Sequence, residues 1–431
     1  MTPQAASNAS EERPEHNPQG RVAGGILRQL ARRHSTELRL LLAIVVVAMA
    51  TSLFSDAYRE KPLQNAQEIL RQTSLLGVFA LGAAIVIISG GIDLSSGSVI
   101  AFSGSICAAI MLALAPVDDA GNRVTENLGF GVFAAGISGT LLVGFLIGTL
   151  HAWLITVVGL PPFIATLASL VGLRSLARVF VQEVTAALTK TGSSSQIYVN
   201  DQTFSMLGTT WWIPLLIFLT LSFAAWVLMS RTVIGRHLYA MGGNEAAARL
   251  SGIRTDQLKW LAYCLGAMTA SIAGVLYTAE VGTASPQVQG KGYELNAIAA
   301  AVVGGCSLQG GVGLIPGTML GVLFLRVVID AVAKIVKVGA DDYEGIIVGF
   351  LVVLAVAFNE LRQTAKGHRK QFFPGALGIM AIGILSILAG AITTIMVGRG
   401  AGLTVFCVAL VGLVLVRITE RRGARSATEG G

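Results

Sequence analysis

The stretch Leu75-Leu-Gly-Val-Phe-Ala-Leu-Gly-Ala-Ala-Ile-Val-Ile-Ile-Ser89 carries no charged side chain, and it runs straight into Gly90-Gly91-Ile92-Asp93-Leu94-Ser95-Ser96-Gly97 before the next apolar run. A helix needs roughly 20 predominantly apolar residues to cross a bilayer. Working outward from this stretch, apolar runs bounded by charges or by Pro/Gly breaks recur twelve times. They lie near residues 40–55, 75–89, 94–115, 128–158, 162–181 and 211–230, and again near 260–279, 295–305, 312–329, 345–358, 376–397 and 402–416. The run at 295–305 is too short to cross alone. The bulk numbers agree: 53% of the 431 residues are hydrophobic and 13% charged, and the mean hydropathy is +0.70. A soluble domain carries about 25% charged residues, and disorder requires low hydrophobicity with high charge. The expected fold is all-α, a polytopic transmembrane helical bundle of about 10–12 spans.

Charge sets the orientation. With the N-terminus in the cytoplasm, the segments 1–39, 231–259, 359–374 and 417–431 hold 19 Lys/Arg, against 9 in the intervening outer segments. This bias follows the positive-inside rule and places both termini in the cytoplasm. The expected organisation is a cytoplasmic tail (1–39), a transmembrane permease region (40–360), a further C-terminal transmembrane pair (361–416) and a second tail (417–431). No apolar segment begins early enough for a cleaved signal peptide. The net charge of +7 is spread over short loops and forms no basic face, so no nucleic acid is expected as a partner. Cys107, Cys264, Cys306 and Cys407 stand singly in apolar stretches, which argues against a disulfide framework or a zinc site; all four are expected to be small buried hydrophobes.

The inner segment 231–259 is the longest on its side and holds a readable helix. Asn244 is a good N-cap, Glu245-Ala-Ala-Ala-Arg-Leu250 is strong helix former, and Gly252 is a natural stop. Glu245 and Arg249 form an i,i+4 pair. A structured, basic cytoplasmic helix reads as a docking surface; the alternative is a capped surface helix without a partner.

Two glycine motifs echo one another. Gly90-Gly91-Ile-Asp93-Leu94-Ser95-Ser96-Gly97 and Gly304-Gly305-Cys-Ser307-Leu308-Gln309-Gly310-Gly311 both read G-G-x-x-L-x-x-G, 214 residues apart. Paired glycine breaks in corresponding halves point to a transporter built from an internal repeat, with its pathway near the breaks. The alternative is a pair of tight turns at a membrane face. Six spans separate the echoes if every run crosses, making the repeats parallel; a single re-entrant run would make them inverted. Asp93 is suited to a helix N-terminus, where free N–H groups satisfy a carboxylate. Arg174 and Arg178 share a face at i,i+4, either snorkelling or lining a mouth, and Arg326 is expected to pair with Asp330. Gly144-x-x-x-Gly148 and Gly317-x-x-x-Gly321 suit close helix approach, and Pro161-Pro162 marks a helix start.

No Walker-type phosphate loop, catalytic triad or H-E-x-x-H is present. The chain is therefore expected to have no catalytic, cofactor-binding or metal-binding residues of its own, and any ATP hydrolysis falls to another subunit. No acidic or histidine relay threads several spans, which gives an ion- or proton-coupled secondary transporter, the alternative reading, little support.

Gly90-Gly91-Ile-Asp-Leu-Ser-Ser-Gly-Ser98, Leu160-Pro-Pro-Phe-Ile-Ala-Thr-Leu167 and Gly235-Arg-His-Leu-Tyr-Ala-Met-Gly-Gly-Asn-Glu-Ala-Ala-Ala-Arg-Leu-Ser-Gly252 strongly resemble permease subunits of bacterial ABC sugar importers of the ribose, xylose and galactose type. Gly292-Tyr-Glu-Leu-Asn-Ala-Ile-Ala-Ala301, the second glycine motif and Gly317-Thr318 continue the match, which covers roughly Leu75 to Glu360. The resemblance implies a multi-pass protein of the bacterial inner membrane that passes a pentose or hexose by alternating access. It implies as partners an ABC ATP-binding subunit, a periplasmic sugar-binding protein and a second permease copy, identical or paralogous, all within membrane lipid. It also implies that the loop carrying Gly235, Arg236, Gly243, Asn244, Glu245, Ala246, Ala247, Arg249 and Gly252 couples to the ATPase. Gly90, Gly91, Asp93, Ser95, Gly304, Gly305, Gly310 and Gly311 are the candidates for the translocation path or its gate. The region after Lys366 departs from the shorter family members.

Overall fold

The computed structural model describes residues 35–119, 121–190, 192–336, 344–351, 353, 375–396 and 398–428. The expected tail before Ser35 and the inner segment 359–374 lie outside these residues, as does part of the run at 345–358. The described part is overwhelmingly helical, as expected. Nine of its helices are long and apolar enough to cross a membrane, and two shorter apolar helices accompany them.

The chain divides into two compact units, residues 1–355 and 356–431. The first opens with α1 (Ser35–Phe54), the short α2 (Asp56–Glu60) and α3 (Pro62–Ile88), followed by α4 (Ser96–Leu114), α5 (Phe130–Thr156) and α6 (Pro162–Leu188). Next come α7 (Gln202–Thr209), α8 (Trp212–Arg231), two helices of the inner loop, α9 (Val233–Gly243) and α10 (Glu245–Leu250), and then α11 (Thr255–Val281). A helical hairpin follows, α12 (Tyr293–Val303) and α13 (Ile315–Val336), and residues 344–351 are helical. Two-residue strands, Ile197–Tyr198 and Thr283–Ala284, pair antiparallel with Ile197 opposite Ala284. The second unit is the helix pair α14 (Gly375–Met396) and α15 (Arg399–Thr428).

The opening stretch of sequence becomes the centre of the first unit. Every residue from Thr73 to Ile88 of α3 is buried, the expected fate of a helix that is apolar all round. α11 packs across α3, α4 and α5, and small residues set the distance. A Cβ on Gly148 would lie 2.5 Å from Cys264 Cα, and Gly144 faces Ser271 and the Ala267 carbonyl. Gly317 and Gly321 lie against Gly304 and the Ala300 carbonyl in the same manner, drawing α12 onto α13. α1, in contrast, leaves Leu42 and Leu53 exposed, as a lipid-facing helix does.

One expectation holds and one needs correcting. The run at 295–305 is the 11-residue helix α12, about 16 Å long at 1.5 Å per residue and far short of a ~30 Å hydrocarbon core. It descends only partway, so it counts as a half-helix and not as a span. Cys407 is exposed, whereas Cys107, Cys264 and Cys306 are buried; all four are free.

Candidate functional site

The two glycine motifs end their helices by the same device. Gly90 N–H donates to the Ile87 carbonyl and Gly91 N–H to the Val86 carbonyl, both at 2.9 Å. At the second motif Gly305 N–H donates to Val302 and Cys306 N–H to Ala301, also at 2.9 Å. These are the paired bonds of a Schellman stop, which needs a left-handed residue after the helix; Gly90 has φ 85° and Gly305 φ 98°. The structural echo therefore matches Gly90 with Gly305, one residue off the register read from the sequence. The left-handed position, and not the first glycine of each pair, is what the turn requires.

The turns also touch one another. Gly311 N–H donates to the Ile88 carbonyl at 2.8 Å, and a Cβ on Gly310 would lie 2.7 Å from Gly90 Cα. Helix α9 of the inner loop closes the cluster. A Cβ on Gly242 would collide with the Ile88 carbonyl and stand 2.6 Å from Gly311 N, while one on Gly311 would stand 2.7 Å from Gly243 Cα. Tyr239 donates its hydroxyl to the Gly313 carbonyl at 2.8 Å, and burial, with Cys306 nearby, pushes its phenol above the ordinary range. Three backbones from three elements meet here with no side chain between them. A cavity of about 380 Å³ opens beside the junction, lined by Glu37, Tyr239, Gly304, Gly305 and residues 311–314.

α9 continues directly into α10. The Asn244 side chain accepts from Ala247 N–H at 3.0 Å, and Gly252, at φ 83°, ends α10. Glu245 holds Lys259 at 2.6 Å and Arg249 at 3.5 Å, and Arg249 reaches Asp256 at 3.0 Å. Arg236, Gly243, Asn244, Ala246, Ala247, Arg249 and Gly252 are exposed, Glu245 is partly covered, and Gly235 is buried at the corner after α8. Leu250, at 91% exposure, stands out from α10 as an apolar side chain without cover.

The remaining candidates make their closest contacts elsewhere. Gly91 packs beside the Tyr263 hydroxyl and Gly304 against Gly317 within its own hairpin. Asp93 is buried, its Oδ1 accepting from Ser95 N–H at 2.8 Å and Ser95 Oγ–H at 2.6 Å just before α4 begins. Arg174 is tied to backbone of the segment before α12. Its guanidinium donates to the carbonyls of Pro286, Gln289 and Gly290, each at 3.0 Å, and so pins the non-helical chain that leads into α12. Arg326 pairs with Glu344 at 3.6 Å, while Asp330 takes Lys334 and the Tyr58 hydroxyl; the expected Arg326–Asp330 pair is not formed, because the buried guanidinium faces α11 and α12. Sequence reasoning missed Gly242, Tyr239 and the Ile88 carbonyl. The signal available was the Gly242-Gly243 pair directly before a capped helix.

Residues 65–356 match the family described as branched-chain amino acid transport system / permease component. The chain belongs to that family. It is 34% identical over 323 residues to the ribose import permease protein RbsC of Escherichia coli (strain K12), which covers 73% of this chain and 90% of the relative. It is 31% identical to the D-allose transport system permease protein AlsC of the same strain, covering 74% of this chain and 89% of the relative. The galactose/methyl galactoside import permease protein MglC, also of that strain, is 31% identical over 75% of this chain and 94% of its own length. No solved structure matches. The protein is thus a multi-pass membrane permease subunit.

Proposed function

We propose that the chain is the membrane-spanning subunit of an ATP-driven importer that moves a monosaccharide, a pentose or hexose, across the bacterial inner membrane. A periplasmic binding protein delivers the sugar, a separate ABC ATPase supplies the energy, and two permease copies enclose the path. Both termini lie in the cytoplasm, residues 40–360 form the permease region, and the helix pair after residue 361 is an accessory. The names of the relatives, import permeases for ribose, allose and galactose, support the sugar class.

The observation that carries the coupling role is the backbone junction at Gly242. α9 and α10 form one continuous piece on the cytoplasmic side, and its Gly242-Gly243 corner rests directly on both glycine turns. Packed backbones transmit displacement because nothing between them can rotate or compress. A push on α10 by the ATPase, through Asn244, Glu245, Ala246, Ala247 and Arg249, would move Gly90, Gly310 and Gly311 together, and with them the starts of α4 and α13. Alternating access then follows from a shift of two hairpins that the same helix supports.

The test is uptake of labelled ribose, allose, galactose and leucine into proteoliposomes, with and without the cognate ATPase, binding protein and ATP. Sugar uptake that requires all components establishes the reading. Leucine uptake under the same conditions would move the substrate class to branched-chain amino acids, as in the family's description, and gradient-driven uptake by this chain alone would replace the mechanism with secondary transport.

A further inference from the structure

The membrane helix α6 has one covered side and one free side. It packs mainly on α4, and Ala165, Thr166, Ala177, Val181 and Thr185 are its buried residues. The opposite side is exposed at Ala168, Gly172, Ser175, Val179, Gln182 and Ala186. These residues follow one another at alternating steps of four and three, the a and d positions of a heptad repeat, over about 27 Å of helix. A side that faces lipid carries large apolar groups, as α1 does with Leu42, Met49 and Leu53. This ridge carries mostly small and polar ones, and a Cβ on Gly172 would meet nothing within 4 Å. Small residues let two membrane helices approach closely, and Ser and Gln hydrogen-bond across such a contact.

The flanks of the ridge identify what covers it. Position g holds Val171 and Arg178, position e holds Leu176 and Glu183, and all four side chains are exposed. When two parallel helices pair along a heptad seam, a g residue of one meets the e residue five positions further along the other. Val171 then meets Leu176 of the second copy, and Arg178 meets Glu183 of the second copy. Two-fold symmetry repeats both contacts on the other flank. Two copies inserted in one membrane run in the same direction, which is the parallel arrangement the pattern needs. Within one chain, Arg178 and Glu183 form no hydrogen bond or ion pair among the described residues. Charged side chains on a membrane helix turn towards protein or water, not lipid, and here each has its complement at the matching position.

We infer that α6 pairs with α6 of a second copy of this chain along Ala168, Gly172, Ser175, Val179, Gln182 and Ala186, with Arg178 of each copy joined to Glu183 of the other. This interface presupposes the two-copy importer proposed above. A helix that meets its own copy lies on the two-fold axis, where the path between the copies runs. The paired seam therefore closes that path, and parting of the two helices opens it. Arg174, on the same helix, holds the carbonyls of Pro286, Gln289 and Gly290, so the chain entering α12 moves with the seam.

The test is disulfide trapping in native membranes that hold the complete importer. The exposed Cys407 is first replaced by Ser. Gly172→Cys and Ser175→Cys are then oxidised alongside Leu146→Cys, an exposed position on α5. Linked dimers are expected from the first two and none from Leu146→Cys. Sugar uptake by the linked Ser175→Cys importer, once reconstituted, should be lost and should return with reductant. With Ser175→Cys present, Arg178→Glu and Glu183→Arg should each lower the linked yield about fivefold or more, because like charges then face one another. The double exchange of Arg178→Glu with Glu183→Arg should restore it. Absence of dimers at both seam positions overturns the interface, as do equal yields from the single and double charge variants. The mass of the solubilised, unoxidised assembly separates two failures. A single permease copy per assembly refutes the two-copy reading itself, whereas two copies without seam disulfides refute only the α6 pairing.

Discussion

At the scale of single residues, the glycines of the junction are not interchangeable. Gly242 faces backbone on two sides, the Ile88 carbonyl and Gly311 N, so an added methyl has nothing flexible to displace. Gly243, one residue on, has open space where a Cβ would go. Gly242→Ala should therefore destabilise the subunit by about 1–3 kcal/mol, the usual range for overpacking, while Gly243→Ala stays within about 0.5 kcal/mol. Thermal unfolding of the two variants decides it; equal midpoints would mean that the backbones are not in contact. If the junction also transmits the ATPase stroke, sugar uptake per ATP hydrolysed falls in Gly242→Ala more than in Gly243→Ala. Arg174 makes a comparable case by charge. Three carbonyls share its guanidinium, and hydrogen bonds to a charged group contribute ~1.5–3 kcal/mol. Arg174→Met should lower stability by an amount in or above that range, and Arg178→Met, offered as the comparison, by less.

At the scale of elements, helix stops and caps decide what each segment can do. The six-residue α10 is too short to persist alone. It is held chiefly by the Asn244 cap, and Glu245 also reaches Lys259 across the turn. Asn244→Ala should cost about 1 kcal/mol and Asn244→Asp much less. The exposed ion pairs around Arg249 add little, so Glu245→Gln should scarcely shift the midpoint. If α10 docks the ATPase, Asn244→Ala weakens co-purification of that subunit and Asn244→Asp restores it. Recovery by Asp tests the cap itself, because Asp keeps the acceptor and alters little else. α12 teaches a different lesson. Its composition is that of a spanning helix, and only its length of 11 residues and the Schellman stop at Gly305 make it a half-helix.

At the scale of the whole molecule, helices that look alike in hydropathy divide into two environments. α3 is buried along its inner sixteen residues, whereas α1 presents Leu42, Leu53 and Phe54 outward. In a membrane the exposed set meets lipid and the buried set meets other helices, so polar substitutions in the two sets should differ in kind. Val78→Asn, at a fully buried position, should prevent assembly of the folded subunit, while Leu53→Asn near the end of α1 should be tolerated. Size-exclusion profiles of the detergent-solubilised variants read the difference. The proposed topology is checked by labelling: single cysteines at Glu126 and Ala246 should react from opposite faces of sealed vesicles, and reaction from one face would invalidate the span count between them.

Much of this was legible without coordinates. The apolar runs established a helical membrane protein because a charge-free stretch of this length has one inexpensive environment, and the Lys/Arg bias pointed to an orientation because charges resist translocation. Asn244 and Gly252 announced the ends of α10, since caps act through local backbone geometry. The glycine echo was visible too, although its register was set by the left-handed φ at Gly90 and Gly305, which no letter in the sequence records. Tertiary structure alone decided which of several apolar helices would be central and which would face lipid. It alone brought Gly242 onto Ile88 and Gly311, and it gave Arg326 to Glu344 instead of Asp330. These are contacts between residues tens to hundreds of positions apart, chosen by how small residues let backbones approach and by where a buried charge finds a partner. Neither choice leaves a trace in local composition, so the elements could be read from the chain while the junction that joins them could not.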